Sequence, residues 1–299
     1  MRAAIAIGSN STRMLCAAKR RGVLTDILRG REETRLFLGL DDAGRILPER
    51  IESTAQAVKR LQDMALAHGA EGETALFATS ATRDAKNAAD LKKRVRELTG
   101  LDLRVISGEE EARLAYRAAA GLGRQMVMDI GGGSTELTVG DRGRVLWAGS
   151  AQMGASRLMK MRPIRTEADA RASLALAREA LRPLAEKAKE YILPDGLIGL
   201  GGSCTTSAAM LLGREAHGEE IEGWQVTLED ARRFLSLLAP MTEEERRLVP
   251  GLPASRAGHM PSGLCILISA LELMEKEKLR VSVRTNLDGF LLSLPDEEF

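Results

Sequence analysis

Val127-Met128-Asp129-Ile130-Gly131-Gly132-Gly133-Ser134-Thr135-Glu136 is a short apolar strand that runs into a glycine-serine turn. The same pattern stands earlier in the chain as Ala4-Ile5-Ala6-Ile7-Gly8-Ser9-Asn10-Ser11-Thr12-Arg13, with Ala6 aligned to Asp129 at an offset of 123 residues. In each copy a second apolar strand follows, Met14 to Ala18 and Leu137 to Val139. A hairpin then passes through Arg20-Arg21-Gly22 in one copy and Asp141-Arg142-Gly143 in the other. Repetition at this period means two similar domains rather than a solenoid of short units. Glycines let consecutive backbone N–H groups converge on an anion, because they meet no steric penalty at positive φ. One such turn alone reads as an ordinary hairpin. Two copies, together with Gly199-Leu200-Gly201-Gly202-Ser203 at a helix start, read as phosphate-holding turns. The duplication predicts a nucleotide or polyphosphate clamped between two lobes.

The 299 residues accommodate two domains, placed at 1–123 and 124–299, with the last residues free to pack back on the first. The first lobe reads as strands at 2–7, 13–19 and 22–29, a helix from Pro48 to Ala67, and a strand from Thr74 to Ala78. A polar turn from Thr79 to Asp84, a helix at 88–98, a strand from Leu103 to Ile106 and a helix from Gly108 to Ala120 complete it. The second lobe repeats the order with three strands over 125–150, a helix at 166–190 and a strand from Gly196 to Leu200. A turn from Gly201 to Thr206 opens a helix, further helices follow, and a late strand lies near Leu279 to Val283. Such an order makes two mixed α/β sheets with helices on their faces, and ligands at the strand ends. The acidic end from Asp296 to Phe299 reads as a frayed tail.

Composition narrows the function. Apolar residues at 44 % and charged residues at 28 % are those of a soluble globular protein. Aromatics at 3 % leave too few rings for base stacking, which argues against a nucleic-acid partner. Cys16, Cys204 and Cys265 form no CxxC pair and read as free thiols in a reducing, cytoplasmic compartment. The first apolar stretch is a short strand with Arg13 close behind it, unlike a signal peptide. The run from Ile266 to Leu273 is too short to span a bilayer, so no membrane partner is expected.

The chemistry sits in a few polar residues. Asp129 ends an apolar strand just before the turn, where a buried acid needs a partner. Glu136 follows on the next strand, and the two carboxylates suit a hard divalent cation, although a solvated Glu136 is an equal alternative. In Ser107-Gly108-Glu109-Glu110-Glu111-Ala112-Arg113, Ser107 and Glu110 have capping-box spacing, and Glu109 can pair with Arg113. Glu111 differs, because it shares a helical face with Leu114, Ala115 and Ala118 and so points inward as a candidate general base. Arg83 follows a strand, either paired with Asp84 at the surface or free to face a phosphate bidentately.

These motifs, in this order, resemble the Ppx/GppA exopolyphosphatase/guanosine pentaphosphate phosphatase family of the actin-like ATPase superfamily, in its short form. The resemblance rests on Gly8 to Ser11, Ala78 to Asp84, Ile106 to Arg113, Asp129 to Glu136 and Gly201 to Ser203, and runs from residue 1 to about 290. It implies two ribonuclease-H-like domains with an interdomain cleft that closes over a phosphate chain and a divalent metal. By resemblance, Glu111 and Arg83 are catalytic, and Asp129 and Glu136 hold Mg²⁺ or another divalent cation. Gly8, Ser9, Asn10, Ser11, Arg13, Gly131, Gly132, Gly133, Ser134, Gly201, Gly202 and Ser203 are the phosphate-binding residues it implies. Ala6 stands where the family carries Asp, Gly258 where it carries Asp in Arg-Ala-Asp, and Val283 where it carries Asp in a late Ser-Asp motif. The expected activity is hydrolysis of terminal phosphate from inorganic polyphosphate. Guanosine pentaphosphate hydrolysis and a catalytically degenerate polyphosphate or alarmone binder are the alternatives. A sugar or acid kinase of the same superfamily fits less well, since neither an adenosine pocket nor an acceptor-sugar site stands out. The oligomeric state is left open, a homodimer included.

Overall fold

The computed structural model describes residues 1–71, 74–121, 123–191 and 196–296. The first strands are β1 (Arg2–Ile7), β2 (Thr12–Arg20) and β3 (Val23–Glu32), followed by α1 (Pro48–Ala67), β4 (Ala75–Ala78), α2 (Ser80–Asp84), α3 (Ala88–Thr99), β5 (Arg104–Val105) and α4 (Gly108–Ala119). The chain continues through β6 (Arg124–Ile130), β7 (Thr135–Asp141), β8 (Arg144–Ala151), α5 (Ala155–Met161), α6 (Glu167–Lys189), β9 (Leu197–Leu200) and α7 (Gly202–Leu212). It ends with β10 (Gln225–Thr227), α8 (Leu228–Leu238), α9 (Glu243–Arg246), α10 (Met260–Leu273), β11 (Lys278–Val281) and α11 (Asn286–Ser293). Two units emerge. One comprises Met1–Ala118 with Asn286–Phe299, and the other Ala119–Thr285.

In the first unit the sheet order is β3-β2-β1-β4-β5. β1 runs antiparallel to β2 and parallel to β4, so it is the central strand with both faces covered. That is why it reads Ala-Ile-Ala-Ile without polar alternation. One face packs Ile5, Ile7 and Met14 against Val58 and Leu61 of α1 and Leu91 and Val95 of α3. The other packs Ala4, Ala6, Leu15 and Phe77 against Leu114 of α4 and Leu287 and Leu291 of α11. Pro48 opens α1, where its missing N–H costs nothing. α11 is fastened by Asp288, a fully buried carboxylate that takes two hydrogen bonds from Arg29 at 3.0 and 2.5 Å.

In the second unit the order is β10-β11-β9-β6-β7-β8. Omitting the edge strand β10, this repeats the arrangement of the first unit, with β6 in the place of β1. α10 is buried on almost every side, which explains an apolar stretch with no polar stripe. Among the described residues no helix is long and apolar enough to cross a membrane.

The structure differs from the sequence reading in two respects. The segment Thr79 to Asp84 is no polar turn: Ser80–Asp84 is helical, with Ser80, Ala81 and Thr82 buried. The helices α5 and α11 and the strand β10 were not foreseen, and the late strand ends at Val281. The last three residues of the acidic tail lie outside the described residues.

Cys16, Cys204 and Cys265 are free thiols, each fully buried. Burial pushes Cys265 up to about 12, and burial followed by the nearby Asp129 carboxylate raises Cys204 as well. A thiolate is the reactive form, so the native protein should leave all three unmodified by an aromatic disulfide reagent at about pH 8. Denaturant should then release three equivalents. Rapid reaction of a thiol in the native protein would refute this.

Candidate active site

Within each unit, taken by itself, the residues singled out from sequence lie at the carboxyl ends of parallel strands, where an α/β sheet leaves room for ligands. In the first unit, β1, β4 and β5 run parallel in register. Thr79 N–H donates to Ile7 O at 3.1 Å, so α2 begins beside the first turn. Ile106 N–H donates to Ala78 O at 3.0 Å, which brings the start of α4 to the same end.

α4 begins with Ser107 accepting the Glu110 N–H on its Oγ at 3.1 Å. The reciprocal half of the expected capping box is replaced, since the Glu110 carboxylate pairs with Arg104 at 2.7 Å in the open. Glu111 is 7 % exposed. Its Oε2 lies 3.6 Å from Nη1 of Arg83, which also donates to Ile106 O at 2.8 Å. Nη2 of Arg83 is buried and has no hydrogen-bond partner among the described residues. A buried guanidinium N–H without a hydrogen bond is uncommon and needs a reason for being kept. The surface pairing of Arg83 with Asp84 is thus not the arrangement that defines it.

Both glycine-serine turns close with one and the same bond. Gly8 N–H donates to Ser11 O at 3.0 Å, and Gly131 N–H donates to Ser134 O at 3.0 Å. Ser9, Ser11 and Ser134 are buried. Arg13 Nε donates to Ser11 Oγ at 3.2 Å, which lays its side chain along the first turn. In the second copy Asp129 stands opposite Glu136 across the β6–β7 ladder, so both carboxylates share a sheet face. Glu136 is 1 % exposed and accepts a hydrogen bond from Ser150 Oγ at 2.7 Å, which removes the solvated alternative. Asp129 is partly exposed rather than buried. In the first copy the equivalent ladder pair is Ala6 with Arg13. The duplication therefore keeps the turn but replaces two acids by a methyl and a cation.

Gly201 has φ +86°, a conformation side chains rarely adopt, and it caps α7 directly after β9. A Cβ there would come within 2.7 Å of Asp129 Oδ1 and would strike the Ile130 carbonyl. A Cβ on Gly202 would overlap the guanidinium of Arg256. The two glycines thus admit a carboxylate and a guanidinium at the start of α7, with Ser203 buried just inside it. Arg256 was noticed in the sequence only as a neighbour of Gly258, and nothing in its spacing placed it over Gly202. Arg157 was missed too, because what it holds on the turn is a backbone carbonyl. Among the described residues, no group of three or more histidine, cysteine or acidic side chains could hold a metal ion unaided.

Two units, each with a strand order of the ribonuclease-H kind, define a duplicated α/β protein of the actin-like class. The sequence pattern of the Ppx/GppA phosphatase family matches residues 15–298. The chain is similar to exopolyphosphatase 2 of Mycobacterium tuberculosis, at 32 % identity with 98 % of each chain covered. It is also similar to the Ppx/GppA family member of Aquifex aeolicus, at 29 % identity and TM-score 0.80, covering 97 % of this chain and 96 % of that one. An exopolyphosphatase from Cytophaga hutchinsonii shares the fold at TM-score 0.85 and 24 % identity, with 97 % and 96 % covered. This chain belongs to the Ppx/GppA phosphatase family.

Proposed function

We propose that this protein hydrolyses the terminal phosphoanhydride of inorganic polyphosphate and releases phosphate. The observation that carries the reading is the Glu111–Arg83 pair, a buried carboxylate beside a guanidinium with an open, buried N–H. Glu111 takes a proton from water, the water oxygen attacks the terminal phosphorus, and the bridging P–O bond breaks with the shortened chain as leaving group. Arg83 donates to the oxygens on which charge develops. Such hydrolysis rests on positioning and electrostatics more than on covalent chemistry. The name of the Mycobacterium tuberculosis relative supports polyphosphate as substrate.

The donor set fits a hard divalent cation. Asp129 and Glu136 supply carboxylate oxygens from adjacent strands. Mg²⁺ is typically held by only one or two carboxylates plus substrate phosphates, so an incomplete protein ligand set is what it requires. When bound, the ion would neutralise phosphate oxygens. Asp129→Asn is expected to weaken the apparent Mg²⁺ affinity at least about tenfold, the lower scale even for outer-shell losses. A titration of rate against Mg²⁺ that superimposes on the wild type would reject Asp129.

The experiment that tests the function is phosphate release from polyphosphate, with Mg²⁺ and with a chelator, and from guanosine pentaphosphate in parallel. Faster turnover of the guanosine compound would reassign the substrate. The Ala6–Arg13 pair favours one second reading, a binder that holds polyphosphate without turnover. Tight binding with no phosphate release would establish it.

A further inference from the structure

The carbonyls of the second turn all go to one short segment. Ala155 N–H donates to Gly131 O at 3.0 Å, and the N–H groups of Ser156 and Arg157 donate to Gly132 O at 2.9 and 3.0 Å. Arg157 Nε then donates to Gly133 O at 2.6 Å. In a trans peptide, as every described peptide of this turn is, the C=O of one residue and the N–H of the next point in opposite directions. Tying three carbonyls to the α5 side therefore turns the N–H groups of Gly132, Gly133 and Ser134 the other way. No acceptor among the described residues takes any of the three. The N–H groups at the start of α5 are consumed by the turn, so the anion-binding element is the turn and not the helix end.

Two features hold this segment in place. The far end of the Arg157 guanidinium donates from Nη2 to Gln152 Oε1 at 3.0 Å. A Cβ on Gly154 would lie only 2.5 to 2.6 Å from the carbonyl of Gly132 and the nitrogen of Gly133, so glycine alone lets the segment lie flat against the turn. The first turn is backed in the same manner. Phe37 N–H donates to Ser9 O at 2.8 Å and Arg35 N–H to Asn10 O at 2.9 Å. The duplication thus extends beyond the three strands, into the segments that brace the turns. In the second copy the last carbonyl is held by a side chain, which makes that brace open to substitution.

We propose that Arg157 is a positioning residue for phosphate binding. Its charge-assisted bond to Gly133 O fixes the 133–134 peptide so that Ser134 N–H points away from α5, and polarises that peptide so that the same N–H donates more strongly. The inference rests on the phosphate-cradle reading of the turn given above.

The test is calorimetric binding of inorganic tripolyphosphate to the full-length protein, with Mg²⁺ present, alongside kcat and KM for polyphosphate. Arg157→Ala is expected to weaken tripolyphosphate binding about tenfold and raise KM to match, with kcat within about threefold, because a charge-assisted bond is lost outside the proton-transfer pair. Arg157→Lys should regain part of the affinity, since an ammonium can reach Gly133 O but not Gln152 as well. Unchanged affinity in Arg157→Ala overturns the proposal, as does a loss confined to kcat. Should Arg157→Ala unfold, Gln152→Ala removes one hydrogen bond from the far end of the guanidinium and should show a smaller loss in the same direction. No loss there overturns the proposal equally. A wild type that binds tripolyphosphate but releases no phosphate rejects the hydrolase reading and leaves the binding comparison decisive. A wild type that binds none overturns both.

Discussion

Glu111→Gln is expected to lower phosphate release from polyphosphate by roughly 10² to 10⁴-fold, the usual worth of a general base. The amide keeps the size of the carboxylate in a 7 % exposed position, so the packing of α4 should survive. Arg83 keeps its bond to Ile106 O when the 3.6 Å charge pair is lost. Tripolyphosphate binding should therefore stay near the wild-type value while turnover falls. Glu110→Gln is the matched control. It loses only an exposed pair with Arg104, a kind of contact worth about 0 to 1 kcal/mol, and its rate should stay within about twofold of wild type. Equal rates in Glu111→Gln and wild type would remove Glu111 from the reaction.

Arg29→Ala is expected to cost about 3 kcal/mol of stability, seen as a lower urea midpoint at unchanged slope. Asp288 is fully buried and takes two hydrogen bonds from Arg29, whose own side chain is 43 % exposed. Removing the arginine takes two charge-assisted hydrogen bonds from a carboxylate that stays in the interior, whereas Asp288→Asn leaves the arginine free to turn to solvent. The asymmetry is the test: Arg29→Ala should cost more than Asp288→Asn. The reverse order would mean that the pair is held for some reason other than fastening α11. A loss of this size is a large fraction of a typical folding free energy of about 5 to 15 kcal/mol.

The duplication was legible because it is written in residues with few other uses. Gly8 and Ser11 recur as Gly131 and Ser134, and the structure closes both with the same 3.0 Å bond. The inward position of Glu111 was legible because α4 has a clear apolar face. What was not legible depends on tertiary contact. The α5 segment has a glycine N-cap without a side-chain bond, and its first N–H groups are satisfied by Gly131 and Gly132 rather than by any local signal. α2 is built largely from Ser, Ala and Thr with no capping bond, and burial rather than propensity makes it helical. α11 contains Gly289, which argues against a helix until Leu114 is placed, because a Cβ there would strike the Leu114 carbonyl. The braces on the turns could not be read at all, since their acceptors are carbonyls common to every residue type.

The first unit is assembled from two stretches of chain, and the second from one. During synthesis the ribosome therefore releases every residue of the second unit before the last helix of the first. Until that helix emerges, Ala4, Ala6, Leu15, Phe77 and Leu114 lack the cover of Leu287 and Leu291, and Arg29 lacks Asp288. Nascent domains ordinarily complete from the N-terminus onward. Here the order is inverted: the half made first waits, with one apolar sheet face uncovered, for residues that follow the whole of the second unit.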